Sequence, residues 1–350
     1  MRILIHTEGT GAHHFQRLGL ARALSAANHE VVMWNRAAKP VYDVFDEFDP
    51  EIFLGQTYNL DKATVKCILE SNGIYVGLRA SDNSPFADEV KSKGFNILTA
   101  TEAEIKLTEE LGPYFIHSYY DEERIGELHE NWNNMGIKSV SNMLAADVFE
   151  YAGGKSNPKY ECDIAFVGGY WAYKGQNLDR YLLPLCQDKY DYNVKIFGNQ
   201  GWGVPQYCGW IADDQVKHLT ASAKVCPNIS EPHATEFGYD VNERIFKLLI
   251  NKCLVVSDHV DSAVKLFVNH GVMFASTPKL FKELIDTCVA DRSPSLDKEV
   301  KKKSQEAYEF VRDNHTYFNR CKDLFANFDL IEEIDKMDEA YQNTKKELNL

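Results

Sequence analysis

The chain alternates short β-branched runs with amphipathic stretches of helical length, and it does so twice. A strand followed by a helix and another strand implies parallel pairing, because returning the chain to the same end of a sheet takes a crossover of a dozen or more residues. Parallel sheets need both faces covered, which predicts a layered α/β protein. In the first half the runs are RILIH (2–6), HEVVMW (29–34), EIFLGQ (51–56), GIYVGLR (73–79) and NILTA (96–100), with helical patterns over 15–27, 61–72 and 86–94. PYFIHSY (113–119) is a candidate last strand, followed by a polar helix near 121–135. The stretch EYAGGKSNPKYE is rich in turn formers and reads as a linker. A second series then follows, with strand runs CDIAFVGG (162–169), NVKIFGN (193–199), KVCPNIS (224–230) and CLVVSD (253–258), and helices near 176–187, 213–223, 242–250 and 278–291. From about 297 the sequence is helical, charged and without strand signal.

At 350 residues the chain exceeds the roughly 250–300 residues at which single cores stop growing. The expected division is a Rossmann-like half over 1–155, a second over 156–305 and a helical segment over 306–350 packing back on the first. Ligands of open α/β sheets bind beyond the carboxyl ends of the strands, so two such halves are expected to face a cleft.

Charge narrows the partners. With 38 basic and 52 acidic residues the net charge is −14, which speaks against a surface built to grip nucleic acid or anionic lipid. The eight cysteines include no C-x-x-C pair and several lie in apolar runs, as expected for reduced, buried thiols. MRILIH opens directly as a strand, and no run approaches the roughly 18 apolar residues of a membrane helix. A cytoplasmic protein without a membrane span is expected.

Two strand ends carry motifs suited to chemistry. HTEGTGAHHF (6–15) is a glycine-bearing turn that opens a helix. Gly9 and Gly11 allow close approach to a ligand, while His14 at the third position departs from the dinucleotide fingerprint G-x-G-x-x-G. Glu8, His13, His14, Asp82 in RASDNSP and His117 are the groups of this half able to contact an acceptor or move a proton. In the second half, DIAFVGGYWAYKGQNLD runs a strand into Gly168 and Gly169 and places Lys174 just beyond. An ammonium there can stabilise the charge that develops on a departing diphosphate. YCGWI (207–211) repeats the strand-then-glycine pattern at Gly209, where backbone can approach a flat base. Trp171, Trp202 and Trp210 are aromatic surfaces that serve either as stacking platforms or as packing anchors. Asn199 follows its strand, and Asn242, Glu243 and Arg244 open a helix whose N-terminus favours anions. Glu243 and Lys247 also have the spacing of a plain i,i+4 ion pair.

Together LAAD (144–147), CDIAFVGGYW (162–171), KIFGNQGWG (195–203), CPN (226–228), NERIFKLLINKCLVVSD (242–258) and VRDNHTYFNR (311–320) resemble the spore-maturation (CgeB-like) branch of the GT-B glycosyltransferases. The resemblance implies a GT-B fold in which a nucleotide-diphosphate sugar such as a UDP-sugar binds the second domain. It implies an acceptor bound by the first domain, no metal, no cofactor beyond the sugar donor, and a final helix bearing His315, Tyr317 and Arg320 that crosses back. Gly168, Gly169 and Lys174 then match the phosphate-side loop, Gly209 the base-side turn and Arg244 the helix arginine. Retaining relatives grip the donor ribose with a glutamate where this chain has Lys247, and place a glycine-rich turn where it has Asn251, Lys252 and Cys253. Lysine cannot accept hydrogen bonds from ribose hydroxyls, so either Glu243 one turn earlier takes over that duty, or the ribose is held differently, or the site has lost activity.

The expected reaction is hexosyl or pentosyl transfer with retention, in which Lys174 and Arg244 steady the diphosphate and His13 faces the reacting sugar. Inversion would instead require a base among Glu8, His13, Asp82 and His117. The rival readings are a DNA-modifying glucosyltransferase of the same architecture and a non-catalytic nucleotide- or sugar-binding module.

Overall fold

The computed structural model describes residues 1–9, 11–71, 73–290 and 294–350. It divides into two units: Met1–Leu144 with Tyr317–Glu347, and Ala145–Thr316 with Leu348–Leu350.

The first unit holds a six-stranded, wholly parallel sheet. Its strands are β1 (Arg2–His6), β2 (Glu30–Trp34), β3 (Ile52–Gln56), β4 (Tyr75–Arg79), β5 (Phe115–Ser118) and β6 (Ser139–Ser141), ordered β2-β1-β3-β4-β5-β6. Ile3, Leu4 and Ile5 are fully buried although successive side chains point to opposite faces, so both faces of β1 are covered. Local chemistry sets the helix starts. Asp61 caps Lys62–Glu70, Ser84 caps Pro85–Ser92 with proline in the first turn, and Thr101 with Glu104 forms a capping box on Glu102–Leu111.

The unit is finished by the end of the chain. In the helix Tyr317–Asn327 the residues Phe318, Cys321, Leu324 and Phe325 form a buried stripe at helical spacing. Tyr317 packs on the helix Ala12–Ala26 at Gly19, where a Cβ would lie 2.3 Å from the ring. Phe328 packs against Phe115 with ring centroids 4.8 Å apart, and the helix Ile331–Leu348 stacks Tyr341 on Phe318 at 4.7 Å. The buried Arg320 guanidinium donates to the carbonyls of Met143 (2.6 Å) and Leu144 (3.1 Å), fixing the chain where it leaves this unit.

The second unit holds a five-stranded parallel sheet ordered β11-β10-β9-β7-β8. These strands are β7 (Cys162–Val167), β8 (Val194–Phe197), β9 (Ala223–Asn228), β10 (Val255–Asp258) and β11 (Met273–Ala275). Phe166, Ile196, Val225 and Val256 from four of them meet Phe281 and Ile285 of the helix Pro278–Val289 in one core.

Three expectations are corrected. NILTA contributes a single bridge, Thr99 to Asp82, rather than a strand, and Leu98 is half exposed. YCGWI likewise forms a single bridge, Tyr207 with Ile196, rather than a strand, and bonds Gly198 just past β8. The polar helix near 121–135 is two short helices, Ile125–Leu128 and Glu130–Asn134. All eight cysteines are free thiols, and among the described residues no helix is long and apolar enough to cross a membrane.

Candidate functional site

In each unit the first strand has its sequence neighbours on opposite sides, so the topological switch point falls between β1 and β3 in the first and between β7 and β9 in the second. In the second unit this point is marked by Arg244. From the first turn of the helix Glu243–Leu249 its guanidinium donates to the carbonyls of Val167 (3.4 Å) at the end of β7 and Ile229 (3.1 Å) just past β9. It lies 4.6 Å from the Phe166 ring centroid. Burial brings its pKa down to about 10, against the pull of Asp258, Glu231 and Glu243.

Beside it runs the turn after β7. A Cβ on Gly168 would stand 3.1 Å from Arg244 Nη2, and one on Gly169 3.3 Å from Asn199 Oδ1. Glycine at these positions lets the backbone lie against the cation and against the end of β8. Gly198 is tighter still, because a Cβ there would lie 2.3 Å from the Gly168 carbonyl oxygen. That carbonyl accepts a hydrogen bond from Trp202 Nε1 (3.0 Å), and the Gly198 carbonyl accepts one from Tyr207 (2.9 Å).

Lys174 stands one turn into the helix Ala172–Tyr181 that this turn opens. The residue is 9% exposed. Its ammonium lies 4.8 Å from the Trp171 ring centroid and makes no hydrogen bond or ion pair among the described residues. Desolvation and then the like charge of Arg244, opposed by Glu231, hold its pKa down at about 7. Two buried cations thus stand at one sheet edge without a carboxylate bound directly to either among the described residues.

The remaining predicted residues of this unit divide. Gly209 holds φ +94° and its carbonyl accepts from Gly198 N (3.0 Å), which sets it beside the end of β8 with open space where a side chain would be. Asn199 is exposed there. Asn242 donates to Ser230 Oγ (3.1 Å), while its buried Oδ1 has no hydrogen-bond partner. Glu243 is engaged by Lys247 at 2.9 Å, and the Lys247 ammonium also lies 4.7 Å from the Tyr151 ring centroid. Of the tryptophans, Trp202 is buried against Phe166 and Tyr170, whereas Trp171 and Trp210 are exposed. Asn251 replaces a turn glycine with hydrogen bonds: its Oδ1 accepts from Gly154 N (2.8 Å) and its Nδ2 donates to the Lys217 carbonyl and Thr220 Oγ1, both at 2.7 Å.

Two polar groups escaped the motif reading. Buried Asp258 accepts from Ser230 N (2.7 Å) and Ser230 Oγ (3.0 Å), and desolvation raises its pKa to about 6 despite these bonds and Arg244. His233 meets Tyr173 through its Nδ1 (2.9 Å) and lies 3.5 Å from Asp240 through Nε2. The polar run SEPHATE after β9 marks His233 and the Ser230 partner, and the aspartate closing CLVVSD marks Asp258.

In the first unit Gly9 (φ +70°) and Gly11 form the turn after β1, both with open space at the Cβ position. His13 Nδ1 accepts from Arg79 at the end of β4, and Arg79 also donates to Gln16 Oε1 (3.2 Å). His13 keeps solvent contact as a residue, yet desolvation of its ring, followed by Arg79 and Arg17, lowers its pKa to about 4. His117, on β5, is buried and held well below the usual imidazole range by desolvation and the same arginines. His14 stands beside Phe15. Glu8 is drawn aside by Arg36 and by His6 Nε2 at 3.3 Å. Asp82 is fully buried beyond β4, its amide donating to the Leu98 carbonyl (2.9 Å). Sequence reasoning missed Arg17 and Arg79. Among the described residues no group of three or more His, Cys, Asp or Glu side chains is placed to hold a metal ion.

Residues 178–326 match a family described as glycosyl transferase-like, a span that holds Asn199, Gly209 and Arg244 and begins just after Lys174. No curated protein matches the chain. Among solved structures, T4 phage β-glucosyltransferase in complex with its UDP-glucose substrate is 12% identical over 100% of both chains, with a TM-score of 0.56. Sucrose-phosphate synthase from Thermosynechococcus elongatus is 10% identical over 94% of this chain and 98% of its own, with a TM-score of 0.60. Anabaena HepE in complex with UDP and glucose is 11% identical over 94% and 99%, with a TM-score of 0.57. At these identities the likeness is one of architecture, and the chain has the two-sheet α/β fold of GT-B glycosyltransferases.

Proposed function

We propose that this protein is a glycosyltransferase that moves a hexosyl or pentosyl group from a nucleotide-diphosphate sugar, a UDP-sugar in the first instance, to an acceptor, and that it belongs to the spore-maturation branch of its superfamily. The observation that carries the reading is Lys174, a buried ammonium without an anion, set beside Arg244 at the switch point of the second sheet. Unpaired buried charge is strongly unfavourable, and a diphosphate bound against Gly168 and Gly169 supplies the missing counter-charge. In that complex Lys174 and Arg244 neutralise the leaving group as the glycosidic bond breaks, which is the work a divalent ion does in metal-dependent transferases. Gly209 and Asn199 border the base side, and Asn242 offers its unpaired Oδ1 to a ribose hydroxyl.

The acceptor binds the first unit along Gly9, Gly11, His13 and His14. Transfer proceeds with retention. Neutral His13 and His117 are unprotonated at physiological pH, and with Asp82 they are the groups able to take the acceptor proton. The net charge of −14 counts against DNA as the acceptor. Calorimetric titration with UDP and UDP-glucose tests the donor site, and anomeric NMR of the product tests retention. Absence of nucleotide binding removes the reading, an inverted product removes retention, and binding without turnover over a broad acceptor panel leaves a non-catalytic module.

A further inference from the structure

The first unit contains a second concentration of positive charge. Arg17, on the helix Ala12–Ala26, is 4% exposed and Arg79 8%. Neither meets a carboxylate among the described residues. Arg79 is shared between His13, Gln16 and the Tyr119 ring, 4.3 Å from its centroid. Arg17 Nη2 is buried without a hydrogen-bond partner. The groups that act on Arg17 electrostatically are the phenols of Tyr58 and Tyr317 and the like charge of Arg79. His6, His13 and His117 all feel Arg17 as a repelling charge. Glu8, the carboxylate of the neighbouring turn, is committed to Arg36 and His6, and Arg36 binds Asp61 as well.

The backbone beside these arginines is shaped for the same kind of ligand. The helix Ala12–Ala26 begins at Gly11 without a side-chain cap among the described residues and with no acidic residue in its first turn, so its positive end is available to an anion. A Cβ added at Gly9 or at Gly11 would meet nothing within 4 Å among the described residues. A desolvated guanidinium such as Arg17, with a buried nitrogen that has no hydrogen-bond partner, is costly to the folded state and persists where a ligand supplies the counter-charge.

We propose that this edge of the first unit binds the oxyanion of a phosphate- or carboxylate-bearing acceptor, with Arg79 and Arg17 as its cationic partners and the uncapped helix start as its backbone donor. The word acceptor rests on the glycosyltransferase reading; the oxyanion site does not. The alternative source of the oxyanion is the donor nucleotide, and the experiment separates the two.

The test is thermal denaturation of the full chain in inorganic phosphate against matched chloride, with and without UDP, for the wild type, Arg17→Met, Arg79→Gln and Lys174→Met. Saturating phosphate is expected to raise the wild-type Tm by about 5 °C, by mass action on the folded state. With UDP saturating the diphosphate site of the second unit, added phosphate is expected to raise the wild-type Tm further, and Arg17→Met and Arg79→Gln are expected to lose that increment while keeping their response to UDP; Lys174→Met, which weakens only the diphosphate site, is expected to keep the phosphate response of the first unit. Without any oxyanion, Arg17→Met is expected to melt higher than the wild type, because it removes an unpaired buried charge. A phosphate increment over saturating UDP that survives in both arginine variants, or none in the wild type, overturns the site. Loss of the UDP response in the arginine variants assigns the oxyanion to the donor and overturns the acceptor assignment. Failure of UDP to bind the wild type removes the donor reading while the phosphate response remains readable.

Discussion

Replacing Lys174 with methionine keeps most of the side chain's volume and removes its charge. The ammonium's pKa falls from 10.5 to about 7 on folding. A cation whose pKa is lowered by folding destabilises the protein: the penalty is fully present below the folded value and disappears as pH rises through the unfolded one. At about 1.36 kcal/mol per pH unit, with the group half protonated at pH 7, the penalty is about 4 kcal/mol. Loss of the contact with Trp171 returns about 1 kcal/mol. The variant is therefore expected to be more stable by about 3 kcal/mol at pH 7 without nucleotide, a rise in Tm of about 6–12 °C for a unit of this size. The advantage shrinks with alkalinity, since the wild-type penalty is only about 1 kcal/mol near pH 9.5. UDP reverses the order. A charge-assisted hydrogen bond contributes about 1.5–3 kcal/mol, so the variant should bind UDP about 10- to 100-fold more weakly and gain less from saturating nucleotide. Scanning calorimetry across pH, with and without UDP, reads all three effects. A variant less stable than the wild type at pH 7 without ligand, or one with unchanged UDP affinity, refutes the reasoning.

Three further expectations follow from the same unit. Gly198→Ala drives a Cβ to 2.3 Å from the Gly168 carbonyl oxygen, so chemical denaturation should show a loss of about 2–3 kcal/mol, with UDP affinity falling as the phosphate-side turn shifts. Lys247→Met strands the Glu243 carboxylate and should cost about 3 kcal/mol in the same assay. The double variant with Glu243→Gln should recover most of this and retain UDP binding, and loss of binding there would show that Glu243 serves the donor. Asp258, with a pKa raised from 3.8 to about 6, weakens the fold above pH 6 and ceases to do so as pH falls towards 4. Asp258→Asn should remove that component from a plot of Tm against pH, and an unchanged slope would contradict it.

The architecture was legible because its period is physical. Runs such as RILIH and DIAFV are buried on both faces and therefore continuously apolar, and the helices between them are long enough to show an apolar stripe. Three-residue strands such as β6 and β11 fall below the length at which any pattern appears. NILTA and YCGWI have strand composition but form one bridge each, a matter of tertiary placement that composition does not record. At the candidate site, Gly168, Gly169, Lys174 and Arg244 could be found because glycines after an apolar strand and a cation at a helix start are local signals. Arg17 could not. In FQRLGLARALSAA it occupies what reads as the polar face of an amphipathic helix, and the neighbours that act on it, Tyr58, Arg79 and Tyr317, are distant in sequence. The pairing of Glu243 with Lys247 was readable from spacing alone, and it takes up the carboxylate that the ribose was expected to need.

The socket at Gly19 bears on how the molecule is made. The aromatic ring that fills it belongs to Tyr317, and Phe328, which packs on β4 and β5, comes later still. During translation the earlier sheet therefore emerges with its hydrophobic flank unfinished, and the whole of Ala145–Thr316 leaves the ribosome before the covering helices exist. Amino-terminal portions usually mature first during synthesis, whereas here the flank of the first sheet can be covered only once residues 317–347 have been made.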